Sequence, residues 1–463
     1  MTSAPDTEDL RGQTLSALAD GLADGRYTSR GLAEACLARI AAPGGEGART
    51  FPHGVSEQVL ADADAQDLRR REGRAPSPFA GVPISVKDNI DLRGTTTRVG
   101  SHLFDDDPPA AADAPAVARL RAAGFVILGH TAMTELAFSG MGVNPHYGTP
   151  VNPSAEGDPR VPGGSSAGAA ASVGYGMAGA GLGTDTGGSC RVPAAFCGLV
   201  GFKPTAARVP REGVFPLSTT LDCVGSIGHS ARCCATLDAI MASEAEPDLA
   251  EPDPARLNLC ALEGPVLQDL TPTVAAAYEA ALGRLGAAGV RLERRPIEAL
   301  SAVGRINALG GFSSAEIYAR LKDRLQVDSG LVDPRVLRRI MLGAQQTPED
   351  YAGYKAERAR LLVEAGEALD RFDAVVLPTT PIEAPRFADL ETDEAYFRLN
   401  GLSLRNAMIA NMLNRPAISI PCQPQGALPV GFMLMGRPGE DRALLAIAAA
   451  VETVVRGQST APD

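Results

Sequence analysis

Three serines in the first half of the chain have neighbours that suit nucleophilic chemistry. Ser189 ends the run Thr-Gly-Gly-Ser within GTDTGGSCRVPAAFCG (183–198), and Ser165 and Ser166 follow another pair of glycines. Glycines before a serine allow successive backbone N–H groups to point into one small volume, and such donors can stabilise an oxyanion. These residues therefore indicate attack by a serine hydroxyl on a carbonyl carbon.

A serine nucleophile needs a base, and the sequence offers an unusual one. Histidine is scarce and distant from Ser189, whereas lysine is rare in a chain with 43 basic residues. Lys87, in the segment VKDN, can accept a proton if burial lowers its pKa from about 10.4 and leaves it neutral. Arginine cannot replace it, because arginine stays protonated. A surface pair formed by Lys87 and Asp88 at a strand end explains the same residues without catalysis.

Two other motifs point to different chemistry. GYGMAG (174–179) has the spacing of a dinucleotide-binding loop, but it interrupts an alanine-rich helical pattern instead of following a strand. GSSAG (164–168) has the spacing of an α/β-hydrolase nucleophile elbow and would make Ser166 the nucleophile, with His229 as the only histidine after it. The turn-forming residues before GSSAG argue against the strand that an elbow requires. Both motifs are the weaker alternatives.

Composition excludes several classes of function. The chain has 463 residues, a net charge of -12 and 45% hydrophobic residues, which fits a globular protein and disfavours a nucleic-acid surface. No metal-ligand spacing or phosphate-binding loop is present, so we expect no metal and no cofactor. The uncharged segment 161–184 is mostly Gly, Ala and Ser, which predicts a close-packed interior and no membrane span. The N-terminus lacks the apolar run of a secretory signal, and we expect a cytoplasmic protein.

The elements that must position these residues alternate between strands and helices. Buried strands are predicted at 82–86 and 125–129, and a thin helix at 166–178. Short strands flank the 183–198 turn, and a further strand is predicted at 257–263. A helix is predicted from Pro272 to Gly289, and a helical block at 298–372. The last predicted elements are three strands and a helix, at 374–381, 417–422, 431–436 and 441–455. The pattern predicts one α/β domain with a central mixed, twisted sheet covered by helices on both faces.

A long stretch around the serines resembles a known family signature. GGSSAGAAASVGYGMAGAGLGTDTGGSCRVPAAFCGLVGFKPT (163–205) is similar to the signature of the amidase signature family of serine hydrolases, and GVPISVKDN resembles the family's lysine segment. The resemblance implies the amidase signature fold for residues 75–463, with the signature core at about 80–205. We also expect an N-terminal helical segment (1–74) packed on that core, and a helical cap or lid region at about 298–372.

The resemblance also implies roles, residue by residue. Ser189 matches the nucleophile, Ser165 the bridging serine, which in this family follows a cis peptide bond, and Lys87 the general base. The proton of Ser189 would pass to Ser165, and that of Ser165 to neutral Lys87. The oxyanion would be held by backbone N–H groups around Thr186, Gly187, Gly188 and Ser189.

Neighbouring residues receive supporting roles from the same match. Ser166 and Asp185 match positions that hydrogen-bond the lysine or brace the loop, and Arg191 matches the arginine beside the nucleophile. For Asp185 and Arg191, a purely structural ion pair explains the sequence equally well. Gly140 and Met141 match a loop that lines the acyl pocket of relatives, and their contact with substrate stays open.

The substrate is the least defined part of the prediction. Apolar residues in the helical block favour an amidase acting on small neutral amides, anilides or carbamates, with no nucleic-acid or membrane partner. The alternative is the glutamine-hydrolysing subunit of a tRNA-dependent amidotransferase, which depends on partner subunits. RRIMLG (338–343) resembles that subunit, but only Tyr351 and Tyr354 follow where its relatives have a tyrosine-rich segment. A homodimer is common among relatives, although nothing in the sequence requires one.

Overall fold

Ten strands form one mixed sheet in the computed structural model, which describes residues 9–155, 157–244 and 249–457. In chain order they are β1 Pro83–Lys87, β2 Val126–Thr131, β3 Ala180–Asp185, β4 Val200–Lys203, β5 Cys223–Gly228, β6 Asn258–Glu263, β7 Arg291–Pro296, β8 Ala374–Pro378, β9 Ala417–Pro421 and β10 Gly431–Met435. Across the sheet their order is β2-β1-β3-β5-β4-β9-β10-β8-β6-β7. Two parallel groups at the edges, β2-β1-β3 and β8-β6-β7, are joined by antiparallel strands.

Helices connect the strands, and their starts follow from local sequence. Thr271 caps a helix whose first residue is Pro272, and Thr347 forms a capping box with Asp350. The α-helices in the described ranges are α1 Leu15–Ala23, α2 Ser29–Ile40, α3 Gly47–Thr50, α4 Val59–Arg71, α5 Pro115–Ala122, α6 Ala167–Gly174, α7 Arg191–Cys197, α8 Ala231–Met241, α9 Pro272–Ala287, α10 Ser301–Asn307, α11 Gly311–Asp328, α12 Pro334–Met341, α13 Pro348–Leu369, α14 Asp393–Arg405, α15 Met408–Met412 and α16 Asp441–Arg456.

The two faces of the sheet carry different helices. On one face, alternate side chains of β1 and β3 pack with α1, α2, α4, α5 and α8, while those of β4 and β6 pack with α9 and α16. The opposite face is covered by α6 and α7 near β3 and β4, and by α10, α13 and α15 near β8 and β10. Because side chains alternate along a strand, Ser85 and Lys87 of β1 point toward α6, and the Ser85 hydroxyl lies 2.8 Å from that of Ser172.

The predicted architecture is confirmed: the chain forms one α/β domain with a mixed sheet and helices on both faces. The segment 161–184 lies in the interior as α6 and β3, both almost wholly buried. Within the described residues no helix is long and apolar enough to cross a membrane. The subdivision at residue 74 stays a prediction; the helices of residues 9–74 pack against β1 and β2, and residues 1–8 lie outside the described ranges.

Two strands were not predicted. β5 contains two glycines, so its propensity is weak, and it forms by antiparallel pairing with β3 and β4. β7 has the sequence RLERRP, which lacks apolar alternation because the strand lies at the sheet edge and is largely exposed.

Candidate active site

Lys87 lies at the end of β1 in the interior of the protein. Its exposed fraction is 0%, and its ammonium group donates to Ser165 Oγ and to Thr184 Oγ1, each at 2.8 Å. Asn89 Nδ2 donates to the same threonine hydroxyl at 3.1 Å. Within the described chain no carboxylate forms an ion pair with Lys87. Two hydroxyl groups therefore fix the position of the Lys87 ammonium group. The surface pair with Asp88 that the sequence also allowed is not formed.

The surroundings of Lys87 change its proton affinity. Burial lowers its pKa from 10.5 to about 8, because the charged form loses hydration. The negative charges of Asp185 and Asp222 partly oppose this effect. At a pKa near 8, about a tenth of the lysine is neutral at pH 7. A base of this strength is suited to proton transfer near neutral pH.

Two turns bring the candidate serines together. A cis peptide bond joins Gly164 to Ser165, in the turn that leads into α6. Ser189 lies in the turn between β3 and α7 and is 4% exposed. The N–H of Ser166 donates to the carbonyl of Ser189 at 3.2 Å, which ties the two turns to each other. The Ser166 hydroxyl donates to the carbonyl of Thr184 at 3.3 Å, so this serine braces the turn.

Asp185 and Arg191 form a buried ion pair beneath the Ser189 turn. Both side chains are fully buried, and two guanidinium nitrogens reach the two carboxylate oxygens at 3.0 and 2.8 Å. The same carboxylate accepts the N–H groups of Gly188 at 2.9 Å and Cys190 at 3.1 Å, and the amide of Asn411 at 2.9 Å. Burial opposes ionisation, but the Arg191 charge and these hydrogen bonds hold the pKa of Asp185 well below its usual range.

Close contacts favour glycine at two positions of the turn. Gly188 has a φ of 129°, a backbone conformation that favours glycine, and a Cβ there would lie 2.7 Å from the Ala407 Cβ. A Cβ on Gly187 would lie 2.5 Å from the Met408 methyl group. The Gly188 N–H is donated to Asp185, so of the three predicted oxyanion-hole residues Thr186 and Gly187 stay the candidate donors.

A cavity of about 590 Å³ adjoins this turn. Leu404 and Met408, which pack against the glycines of the turn, are part of its wall. Most of the lining is apolar, and it includes Phe138, Val266, Ile297, Leu300, Val303 and Ile409. The residues of the Ser189 turn are not part of the lining, so Leu404 and Met408 lie between the turn and the cavity.

Two predicted pocket residues lie beside this cavity and do not line it. Gly140 packs against Ser403 and Leu404, and its N–H donates to Asn400 Oδ1 at 2.8 Å. Met141 is completely buried in an apolar cluster with Val192. In this structure their contacts are with neighbouring protein groups, and a direct substrate contact stays a prediction.

The elbow alternative has no geometric support. Ser166 precedes the first turn of α6 and no strand leads into it, whereas His229 interacts with the backbone of Val173 near the other end of that helix. The two ends of the helix are about 10 Å apart at 1.5 Å per residue. GYGMAG also departs from a dinucleotide-binding loop, because α6 ends at Gly174 and β3 follows.

Several residues near the site were not predicted. Thr184 hydrogen-bonds the lysine, Asn411 joins Asp185 to Arg191, and Asp222 accepts a hydrogen bond from Thr186. Arg339 lies in the cavity wall. Thr184 was within the recognised motif, but the other three come from distant segments and carry no local signal. Among the described residues, no three His, Cys, Asp or Glu side chains are grouped so that they could hold a metal ion.

The chain is similar to several known proteins. Residues 32–445 match the model of the Amidase family. The chain is 36% identical to 2-amino-5-chloromuconic acid deaminase of Comamonas testosteroni over 85% of this chain and 86% of the relative. It is 32% identical to a glutamyl-tRNA(Gln) amidotransferase subunit of Chloroflexus aggregans, over 98% and 99% of the two chains.

A solved structure extends the match to three dimensions. A crystal structure of an amidase superimposes with a TM-score of 0.85 and 31% sequence identity, covering 95% of this chain and 99% of that one. The family model, the relatives and the shared fold all concern enzymes that act on carbon–nitrogen bonds. The chain therefore belongs to the amidase (amidase signature) family and is a hydrolase of carbon–nitrogen bonds.

Proposed function

We propose that the protein is an amidase that forms an acyl-enzyme on Ser189, with Ser165 as proton relay and neutral Lys87 as general base. The observation that carries the proposal is the 2.8 Å hydrogen bond from Lys87 Nζ to Ser165 Oγ, made by a lysine with 0% exposure. A lysine that burial leaves partly neutral can accept a proton from a serine hydroxyl, which a surface lysine at neutral pH cannot.

The reaction would then proceed in two half-reactions. Ser189 Oγ attacks the substrate carbonyl carbon while its proton passes to Ser165 and the proton of Ser165 passes to Lys87. The carbonyl oxygen becomes an oxyanion near the N–H groups of Thr186 and Gly187. The protons return along the same path to the leaving nitrogen, and the C–N bond breaks. Water then attacks the acyl-enzyme by the same proton path and releases the acid.

The adjoining cavity supports small neutral amides, anilides or carbamates as substrates. Its wall is mainly apolar, and about 590 Å³ is enough for an aryl or short alkyl group. Leu404 and Met408 lie between this space and the Ser189 turn. A substrate with a substituent in the cavity would have to reach Ser189 past these two side chains.

One side chain favours a second substrate class, amides that carry a carboxylate. Arg339 lies in the cavity wall with its guanidinium 4.1 Å from the ring centroid of Phe138, and it donates to the Phe138 carbonyl. Burial lowers its pKa to about 10, which leaves it charged at neutral pH. Within the described ranges no carboxylate forms an ion pair with it. The named substrate of the Comamonas relative, 2-amino-5-chloromuconic acid, is an acid, which agrees with this second class.

Partner dependence is the other open alternative. The Chloroflexus relative is one subunit of an amidotransferase, so a glutamine-hydrolysing chain that needs partner subunits stays a candidate. Glutamine also carries a carboxylate that Arg339 could contact. Turnover by the purified chain alone would separate a free-standing amidase from such a partner-dependent chain.

The test combines covalent labelling with a substrate panel. The purified chain is treated with phenylmethylsulfonyl fluoride and analysed by intact-mass spectrometry and peptide mapping. We expect one sulfonyl adduct on Ser189, and none in Ser189→Ala. Anilides, primary amides, carbamates, glutamine and amides of dicarboxylic acids are then assayed, with and without Arg339→Met. An adduct on another serine would refute the proposed nucleophile.

The substitution at Arg339 has a neighbouring control. Arg338 stacks over Phe397 at 4.8 Å and is not among the residues of the cavity wall, so Arg338→Met should leave substrate preference unchanged. Preference for acidic substrates that is lost in Arg339→Met alone would support the second class. Turnover of neutral substrates by both variants at the wild-type rate would support the first.

A further inference from the structure

Asp222 lies directly behind the predicted oxyanion turn. It precedes β5, and β5 pairs with β3 so that Cys223 lies opposite Asp185. This register places Asp222 beside Thr186, the first residue after β3. The Thr186 hydroxyl donates to Asp222 Oδ1 at 2.5 Å, and the N–H of Ser218 donates to Oδ2 at 3.0 Å.

The environment of this carboxylate is unusual because the nearby cation, Arg211, does not form an ion pair with it. Asp222 is 5% exposed, and in the described part of the chain no Lys, Arg or His forms an ion pair with it. Arg211 reaches its main-chain carbonyl at 3.2 Å and not its carboxylate. Burying an unpaired carboxylate is costly, and hydrogen bonds from two neutral donors offset only part of that cost. Fold stability alone therefore does not explain an aspartate here.

The loop that carries Asp222 is fixed from the helical block. Glu316 of α11 accepts hydrogen bonds from the hydroxyl of Thr219 at 2.8 Å and from the N–H of Thr220 at 3.2 Å. The hydroxyl of Tyr351, in α13, donates to the same carboxylate at 2.9 Å. One carboxylate oxygen of Asp222 therefore bonds to Ser218 in its own loop, and the other bonds to Thr186 in the Ser189 turn.

We propose that Asp222 is a positioning residue of the amidase reaction, whose carboxylate fixes the Thr186 hydroxyl and thereby the N–H groups of the Thr186–Ser189 turn. The inference rests on the proposed function, because the turn matters only if Ser189 is the nucleophile. Asp222 touches neither the substrate position nor Ser189, and it acts through Thr186. Its negative charge also acts on Lys87, where it favours the protonated form.

The test measures the rate at which phenylmethylsulfonyl fluoride modifies Ser189, together with kcat and KM for the best panel substrate. Asp222→Asn keeps the shape and removes the charge, and Thr186→Val removes the hydroxyl at similar volume. We expect each variant to reduce labelling rate and kcat by about 10- to 100-fold with little change in KM, and the double variant to be no slower than Thr186→Val.

A matched control is available at Asp238. It is a buried aspartate, 1% exposed, that lies in α8, pairs with Arg208 and is outside the site. Asp238→Asn makes the same chemical change at a buried carboxylate, and we expect wild-type labelling. Thermal unfolding of each variant shows which proteins are folded, and Thr186→Val tests the same contact if Asp222→Asn does not fold.

The pH profile distinguishes positioning from a general loss of structure. Without the charge of Asp222, the pKa of Lys87 should fall, and the inflection in the labelling rate should move to lower pH. Wild-type rates in both single variants, or losses that add in the double variant, would overturn the proposal. Absence of Ser189 labelling in the wild type would instead refute the proposed function, so the two failures are distinguishable.

Discussion

Asp185 and Lys87 are both buried and both ionisable, but only Asp185 has a partner of opposite charge. Asp185 is matched by Arg191, by two backbone N–H groups and by Asn411. Lys87 is as deeply buried, yet its ammonium group contacts only the hydroxyls of Ser165 and Thr184. The pKa of Asp185 lies well below its usual range, which keeps it charged, and that of Lys87 falls to about 8.

The presence or absence of a counter-charge decides whether a buried charged group supports the fold or can take part in proton transfer. A buried ion pair whose hydrogen bonds are all made changes little with pH and fixes the backbone around it. A buried cation without a counter-charge is destabilised and readily gives up its proton. On this basis we expect the Asp185–Arg191 pair to hold the Ser189 turn and Lys87 to exchange protons.

The largest expected effect is the loss of catalytic rate when Lys87, which has no counter-charge, is replaced. Lys87→Met should lower kcat/KM by about 10²- to 10⁴-fold, because the proton acceptor is removed. Ser189 labelling by the sulfonyl fluoride should slow by a similar factor, and both are measured beside circular dichroism spectra. Lys203→Met is the control, since Lys203 is equally buried but donates to the Pro204 carbonyl. Equal losses in both variants would mean that Lys87 has no special role.

The next largest effect is a loss of folding stability when the Asp185–Arg191 ion pair is broken. Asp185→Asn leaves the Arg191 charge buried without its partner, and we expect the free energy of unfolding to fall by about 3–5 kcal/mol. Urea denaturation of the two proteins at pH 7 measures the difference. A loss below about 1 kcal/mol would contradict the view that this pair holds the turn.

Lys87→Met should have the opposite effect on stability. The fall in pKa from 10.5 to about 8 corresponds to about 3 kcal/mol of destabilisation at pH 7, where the lysine is protonated in both states. Loss of two hydrogen bonds offsets part of this, and a net gain of about 1–2 kcal/mol is expected. The unfolded chain binds more protons between pH 8 and 10.5, so wild-type stability rises relative to the variant across that window. A gain that does not shrink at high pH would contradict this assignment.

The residues proposed to react have clearer local signals in the sequence than the distant partners of the Asp185–Arg191 pair. Ser165, Ser189 and Lys87 lie in short motifs in which glycine pairs and a rare lysine are visible locally. Asn411 bonds Asp185 across 226 residues, and nothing in the segment around it indicates that contact. Such contacts depend on how distant elements pack, which a single sequence does not specify.

The same limit applies to the fold. Most helix starts and buried strands followed from capping residues and apolar runs, as with Pro272 in α9 and the apolar strand β8. The helical block was located, but the cavity between it and the Ser189 turn was not, because its walls come from several separate segments. Strand β7 was missed since exposed edge strands need little apolar sequence.

The smallest effect is the pH dependence, and it tests both groups at once. Because neutral Lys87 is the proposed base, kcat/KM should rise about tenfold from pH 7 to well above its pKa of about 8. Asp185 stays ionised throughout this range, so it should add no inflection. Burial also raises the pKa of Asp222 to about 7, so the profile is repeated in Asp222→Asn. An inflection that persists there, moved to lower pH, assigns it to Lys87, whereas its disappearance would assign it to Asp222 and leave the lysine without a titration in this range.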